Sequence, residues 1–134
     1  MARPKASQLT ERELEIMHVF WRKEREQKLK PALTASDVRD LLEQDGRELA
    51  YTTVATLLRI LVDKGFVKQI NDTRPFDYQA VRSFDDVSTR LVDDLVAKVF
   101  SGSREALLLR LVDAKKLSPK ERALLQRVLQ EDEQ

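Results

Sequence analysis

A chain of 134 residues carrying Lys+Arg 24 against Asp+Glu 23 has room for one domain or two small ones, and a net charge of only +1. Any nucleic-acid binding must therefore rest on local clustering of charge, and with no cysteine there is no disulfide framework, thiolate metal site or cysteine nucleophile. No apolar run approaches membrane-spanning length and Met1-Ala2-Arg3-Pro4-Lys5 lacks the apolar centre of a signal peptide, so a soluble, cytoplasmic protein without membrane insertion is expected.

Leu9-Thr10-Glu11-Arg12-Glu13 predicts the start of a first helix, because Thr10 can accept from the Glu13 amide while the Glu13 side chain returns to Thr10. Leu14, Met17 and Trp21 share one face, Ile16, Val19 and Phe20 widen it, and Arg22-Lys23-Glu24-Arg25-Glu26 reads as a solvated end. His18, the single histidine, lies at the edge of that face. No carboxylate pair at ligand spacing converges on it, so it reads as structural or surface and no metal is expected. Pro31 breaks the helix, and Leu33-Thr34 can supply a short edge strand. Thr34 then caps a second helix with Val38, Leu41 and Leu42 as its buried stripe and Gly46 at its end.

The segment from Tyr51 to Gly65 reads as one amphipathic helix. Val54, Leu57, Leu58, Leu61 and Val62 recur at the spacing of a single buried face, and Thr52, Thr56, Arg59 and Asp63 fall opposite. Threonine is a poor choice for an ordinary solvated helix face, since it is stiff at χ1 and a weak helix former. Short hydroxyls and methyls do let a helix approach base edges in the major groove, and an arginine can reach a guanine with two parallel hydrogen bonds. An ordinary core helix with an unremarkable outer face remains the alternative. After Gly65 the period changes: Phe66-Val67-Lys68-Gln69-Ile70 and Phe76-Asp77-Tyr78-Gln79-Ala80-Val81 read as strands around the turn-rich Asn71-Asp72-Thr73-Arg74-Pro75. Three helices followed by a hairpin is the winged-helix layout, with Lys64, Lys68 and Arg74 where a wing needs cations. From Arg47 to Arg82 six basic residues face four acidic ones, a weak bias, and Asp72 near the tip repels phosphate.

Ser83-Phe84-Asp85-Asp86 predicts the start of a fourth helix, with Val87, Leu91, Leu95 and Val99 in line and Val92 and Val96 broadening the stripe. After Ser101-Gly102, Ser103 caps a fifth helix containing Leu107, Leu108, Leu109, Leu111 and Val112. Ser118-Pro119-Lys120-Glu121 is a capping box with proline at the first helical position of a sixth, made apolar by Leu124, Leu125, Val128 and Leu129. A free unit of about fifty residues cannot bury that much apolar surface, so these helices need a partner. A two-fold homodimer is the simplest supplier, with Leu91, Leu95, Val99, Leu107, Leu108, Leu111, Leu124 and Val128 at its interface; packing on the same chain's first domain is the alternative. The expected fold is thus mostly α: a winged helix-turn-helix domain over 1–82, three helices plus a β-hairpin wing, then a three-helix dimerisation domain over 83–134.

In the order and spacing of Leu9-Thr10-Glu11-Arg12-Glu13 with Trp21, of Tyr51-Thr52-Thr53-Val54, Thr56-Leu57-Leu58-Arg59, Leu61 and Lys64-Gly65, and of a wing ending in Tyr78, the chain resembles the penicillinase-repressor family. These are the BlaI, MecI and CopY type of bacterial transcriptional regulators, and the resemblance covers nearly the full length. It implies a homodimeric repressor on a near-palindromic double-stranded DNA operator, often with TACA and TGTA elements. By position it implies that Thr52, Thr53, Thr56 and Arg59 face the bases, while Lys64, Lys68 and Arg74 meet the backbone. Copper-sensing members carry paired cysteines near the C-terminus; this chain has none, so copper sensing is not implied and no cofactor is expected. In β-lactam-responsive members a sensor-triggered protease cuts an Asn-Phe bond in the fifth helix. Here Arg110-Leu111 stands at that place, which leaves the releasing signal open, with a regulatory protease among the implied partners. Ala50 stands where a serine often caps the recognition helix, a change worth about 1 kcal/mol unless Thr52 or water substitutes.

A rival reading makes the winged helix a scaffold for protein interaction without sequence-specific DNA binding. Apolar or acidic residues on the outer face of the third helix would mark it, and Thr52, Thr56 and Arg59 stand there instead. No enzyme is expected: there is a single histidine, no phosphate-cradling loop among three glycines, and no carboxylate pair in an apolar setting.

Overall fold

The structure is a computed structural model that describes residues 9–113 and 116–132; the Met1-Ala2-Arg3-Pro4-Lys5 start lies outside them. Thr10 opens helix α1, Glu11–Gln27, with the expected reciprocal pair: its hydroxyl accepts from the Glu13 amide at 3.2 Å, and its own amide donates to the Glu13 carboxylate at 2.9 Å. Thr34 and Asp37 repeat the device at the start of α2, Ala35–Gln44. Gly46, at φ +82°, lets the chain turn out of α2 towards α3, Tyr51–Asp63. The three helices pack on one another through Ile16, Met17 and Phe20 of α1, Val38 and Leu42 of α2, and Val54, Leu58 and Leu61 of α3, all at most 1% exposed.

Past α3 the chain forms an antiparallel hairpin of β1, Val67–Gln69, and β2, Tyr78–Ala80, with Val67 opposite Ala80 and Gln69 opposite Tyr78. The expected edge strand is a single bridge: Leu33 exchanges two backbone hydrogen bonds of 2.9 Å with Tyr78. Both ladder strands are shorter than the apolar runs suggested, with single backbone bonds from Ile70 to Asp77 and from Val81 to Phe66 at their ends, and Asn71 closes the loop beyond. Its side-chain carbonyl accepts from the Asp77 amide at 2.7 Å, and its amide group donates to the carbonyls of Thr73 and Pro75. Phe66, Val67, Tyr78 and Ala80 bring the hairpin onto the helical core. Three helices and this wing make a winged helix-turn-helix.

Where the chain leaves the wing, Trp21 donates its indole N–H to the Arg82 carbonyl at 2.9 Å. The buried Arg82 guanidinium lies 5.2 Å from the Phe66 ring centre and donates to Asp86 at 3.2 Å. Phe84 stands edge-on to Trp21 at 5.4 Å, and the exposed His18 does the same at 5.3 Å, with the His18 and Phe84 rings 6.4 Å apart. Partial desolvation and the charges of Arg25, Arg47 and Arg22 push His18 below its ordinary pKa. Helix α4, Phe84–Val99, starts on this platform, with the Ser83 hydroxyl accepting from the Asp86 amide.

The chain divides into two units, one ending at Leu91 and the other starting at Val92. The first runs past Arg82 because Val87 and Leu91, on the opening turns of α4, pack onto its core; Leu91, grouped with the dimer face from the sequence, is half-buried there. The second unit holds the rest of α4, then α5, Arg104–Leu111, and α6, Pro119–Asp132. Ser103 caps α5, and Ser118 with Glu121 forms the capping box of α6, at 2.8 and 3.1 Å. No described helix is long and apolar enough to cross a membrane.

An ion pair adds to the apolar packing between α1 and α3. Lys64, just past α3, donates to both carboxylate oxygens of Glu13, at 2.7 and 3.1 Å, and Glu13 is only 2% exposed. Burial by itself raises the Glu13 pKa; the hydrogen bonds from Lys64 and Thr10 and the Lys64 charge outweigh it and hold the carboxyl below 4.5, its ordinary value. Removing the cation strands a buried carboxylate, so Lys64→Met is expected to cost about 3 kcal/mol in urea denaturation at neutral pH, with Glu13→Gln in the same chain recovering part of it. Because the folded carboxyl titrates below the unfolded one, its contribution is complete above about pH 5 and is lost as pH falls through the folded value. Stability measured against pH should therefore lose an acid limb in Glu13→Gln; an unchanged limb would show that this carboxylate does not carry it.

Candidate nucleic-acid interface

The rotation of α3 is set by its inner side. Val54, Leu58 and Leu61 are fully buried and Leu57 and Val62 partly so, which turns Thr52, Thr53, Thr56, Arg59 and Asp63 to solvent. Ala50 occupies the N-cap and no side chain caps the helix, so Thr52 does not replace the missing hydroxyl. The first-turn amides of α3 thus lack a side-chain acceptor.

Of the residues singled out from the sequence, Thr56, Arg59 and Arg74 come together. They border a cavity of about 420 Å³ between the start of α2, the outer side of α3 and the wing. Arg59 makes no ion pair among the described residues, and Arg74 reaches over the Phe76 ring, 5.5 Å from its centre. Thr52 and Thr53 are exposed on the first turn of α3 and do not line the cavity. Lys68 is exposed in β1 between Val67, which packs on the core, and Gln69, which lines the cavity. Side chains alternate along a strand, so Lys68 occupies the other face of the ribbon. Lys64 is held on the Glu13 carboxylate at the far end of α3.

Three contributors escaped the sequence reading. Tyr51, in the first turn of α3, is 46% exposed, and the Arg39 guanidinium of α2 lies 5.9 Å from its ring centre. Phe76, expected in the second strand, lies just before β2 and lines the cavity beneath Arg74. An outward aromatic beside two threonines was a visible signal for Tyr51. Nothing local marks Arg39, which meets Tyr51 only because α2 packs across α3.

The second unit presents a different surface. Among its described residues Val96 alone is buried, while Leu95, Val99, Leu108, Leu111, Leu124 and Val128 are between 41% and 64% exposed and Leu107 is half-buried.

The family model of the penicillinase repressors matches residues 9–131. The transcriptional regulator BlaI of Mycobacterium tuberculosis is 34% identical over 110 residues, which span 81% of this chain and 75% of that protein. The methicillin resistance regulatory protein MecI of Mammaliicoccus sciuri is 24% identical over 125 residues, 93% of this chain and 95% of that one. Among solved structures, RosR of H. salinarum superposes with a TM-score of 0.52 at 20% identity, covering 95% of this chain and 96% of that one, and a complex of hsRosR-SG does so with 0.53 at 22% identity, covering 96% and 95%. At that identity the likeness speaks for the fold. The regulators aligned over nearly the whole length, together with the family match, place the chain: it belongs to the penicillinase-repressor family of transcriptional regulators.

Proposed function

We propose that this chain is a homodimeric transcriptional repressor that occupies a near-palindromic DNA operator through α3 and the wing. The observation that carries this is the open outer face of α3, where Thr52, Thr53, Thr56 and Arg59 stand in solvent and Arg59 has no acidic partner among the described residues. Thymine methyls and base-edge acceptors suit the threonines, and a guanine edge suits Arg59. Arg74 and Lys68 meet phosphates from the wing; Lys64 reaches one only by leaving Glu13. A surplus of two positive charges from Arg47 to Arg82 is weak for one chain, and a second copy doubles it.

The exposed leucines and valines of α4, α5 and α6 support that second copy, because a closed two-fold dimer covers them and sets two recognition helices about one helical turn of DNA apart. Arg110 and Leu111 are exposed at the end of α5. Cleavage beside them by a regulatory protease would detach α6 from α4 and α5, remove part of the dimer surface and so release the operator. The protein acts in the cytoplasm as a binder rather than a catalyst, without a cofactor.

Titrating the protein into labelled DNA from upstream of its own gene, at two salt concentrations, tests the operator reading; sequence-blind or salt-insensitive binding would count against it. In that assay Arg59→Ala should cost about 1–3 kcal/mol and relax discrimination at one base pair. Lys68→Ala should weaken all sequences alike and lower the salt slope by about one. Sedimentation of Leu108→Asp with Leu124→Asp should show a folded monomer that has lost operator affinity; a dimer surviving both changes would place the interface elsewhere.

A further inference from the structure

The cavity beside α3 has a composition that contact with DNA does not require. Its floor is apolar and aromatic, with Ala55, Val62, Phe76 and Tyr78, while its rim carries the guanidinium groups of Arg59 and Arg74. No aspartate or glutamate lines it. A phosphate is small and strongly hydrated, and two rim cations satisfy it without any floor; an apolar floor gains only from an organic body that displaces water from it. At about 420 Å³ the space falls in the ordinary range of small-ligand sites, which runs from roughly 300 to 1,000 Å³. One of the two cations is also held in place beforehand, since Arg74 already stacks on the Phe76 ring.

We infer that the cavity between α3 and the wing is a binding site for a small planar organic anion, a carboxylate or phosphate ester on an aromatic body, and that its occupancy and DNA binding exclude one another. The second half rests on the operator reading above. A ligand there lies against Thr56 and takes the charge of Arg59, both on the side assigned to the bases, and it engages Arg74 of the wing. The protein then has a direct exit from repression that requires no cut in α5.

The test has two arms on the intact chain. In the first, without DNA, amide and aromatic NMR signals are followed while naphthoate, phenyl phosphate, uncharged naphthalenemethanol or inorganic phosphate is added. Saturable shifts confined to the start of α2, the outer side of α3 and the wing are expected for naphthoate or phenyl phosphate and not for the last two. Failure of both aromatic anions to saturate, or equal shifts with inorganic phosphate, overturns the site. In the second arm the bound anion competes with labelled operator DNA. The apparent dissociation constant for DNA should rise about tenfold once the anion exceeds its own dissociation constant about tenfold. Ala55→Leu, which fills the floor, should lose anion binding in the first arm, and the operator binding it retains should resist displacement. Saturable anion binding with unchanged DNA affinity overturns the exclusion. If the parent binds the anion but no DNA, the site stands and the operator reading falls, so the two claims fail separately.

Discussion

One buried carboxylate organises the half of this molecule that faces its target. Glu13 closes the cap of α1 through Thr10 and receives the ammonium of Lys64 from the end of α3, two residues 51 positions apart in the chain. A cap is a local device and an ion pair of this separation is a global one. Joining them in a single side chain ties the start of the first helix to the end of the third. The penalty of burying a charge is offset by the Thr10 amide and the Lys64 ammonium, which both donate to it. Withdrawing the cation would therefore release α3 from one of its anchors and leave the apolar contacts of Val54, Leu58 and Leu61 to hold its orientation.

That orientation gives α3 its chemical character. The same rotation that buries three aliphatic side chains puts threonines and an arginine outward, so packing and presentation are a single geometric fact. The absent side-chain cap at Ala50 fits this arrangement, since a hydroxyl there would occupy amides at the end nearest to Thr52 and Thr53. The wing adds Arg74 beside the helix, with its loop closed by Asn71 so that the guanidinium rests on a defined ring. With a charge surplus of only two in this region, the proposed recognition would rely on placement more than on field strength.

Two features of the fold bear on regulation. The second unit exposes apolar side chains along all three of its helices and buries one among its described residues, so the proposed dimer would link its stability to its association. The first unit carries, beside the recognition face, a cavity with an apolar floor and a cationic rim. Loss of α6 from the proposed dimer and filling of that cavity would act on different units of the chain. Both end at the same place, the outer side of α3.

Local signals were enough for much of this molecule. Thr10 with Glu13, Thr34 with Asp37, Ser103 and Ser118 with Glu121 mark helix starts within a few residues, and the spacing from Val54 to Val62 separates the buried from the open side of α3, because caps and helical periodicity act between near neighbours. By itself the sequence therefore determined the order of the elements, the winged-helix class and the candidate reading face. Only tertiary structure decided what depends on chain segments meeting from afar: Lys64 on Glu13, Arg39 over Tyr51, Arg74 with Arg59 about one cavity, and Leu91 against the first unit's core. The physical reason is range. A cation's partner is chosen by whichever element packs beside it, and no spacing along the chain encodes that choice.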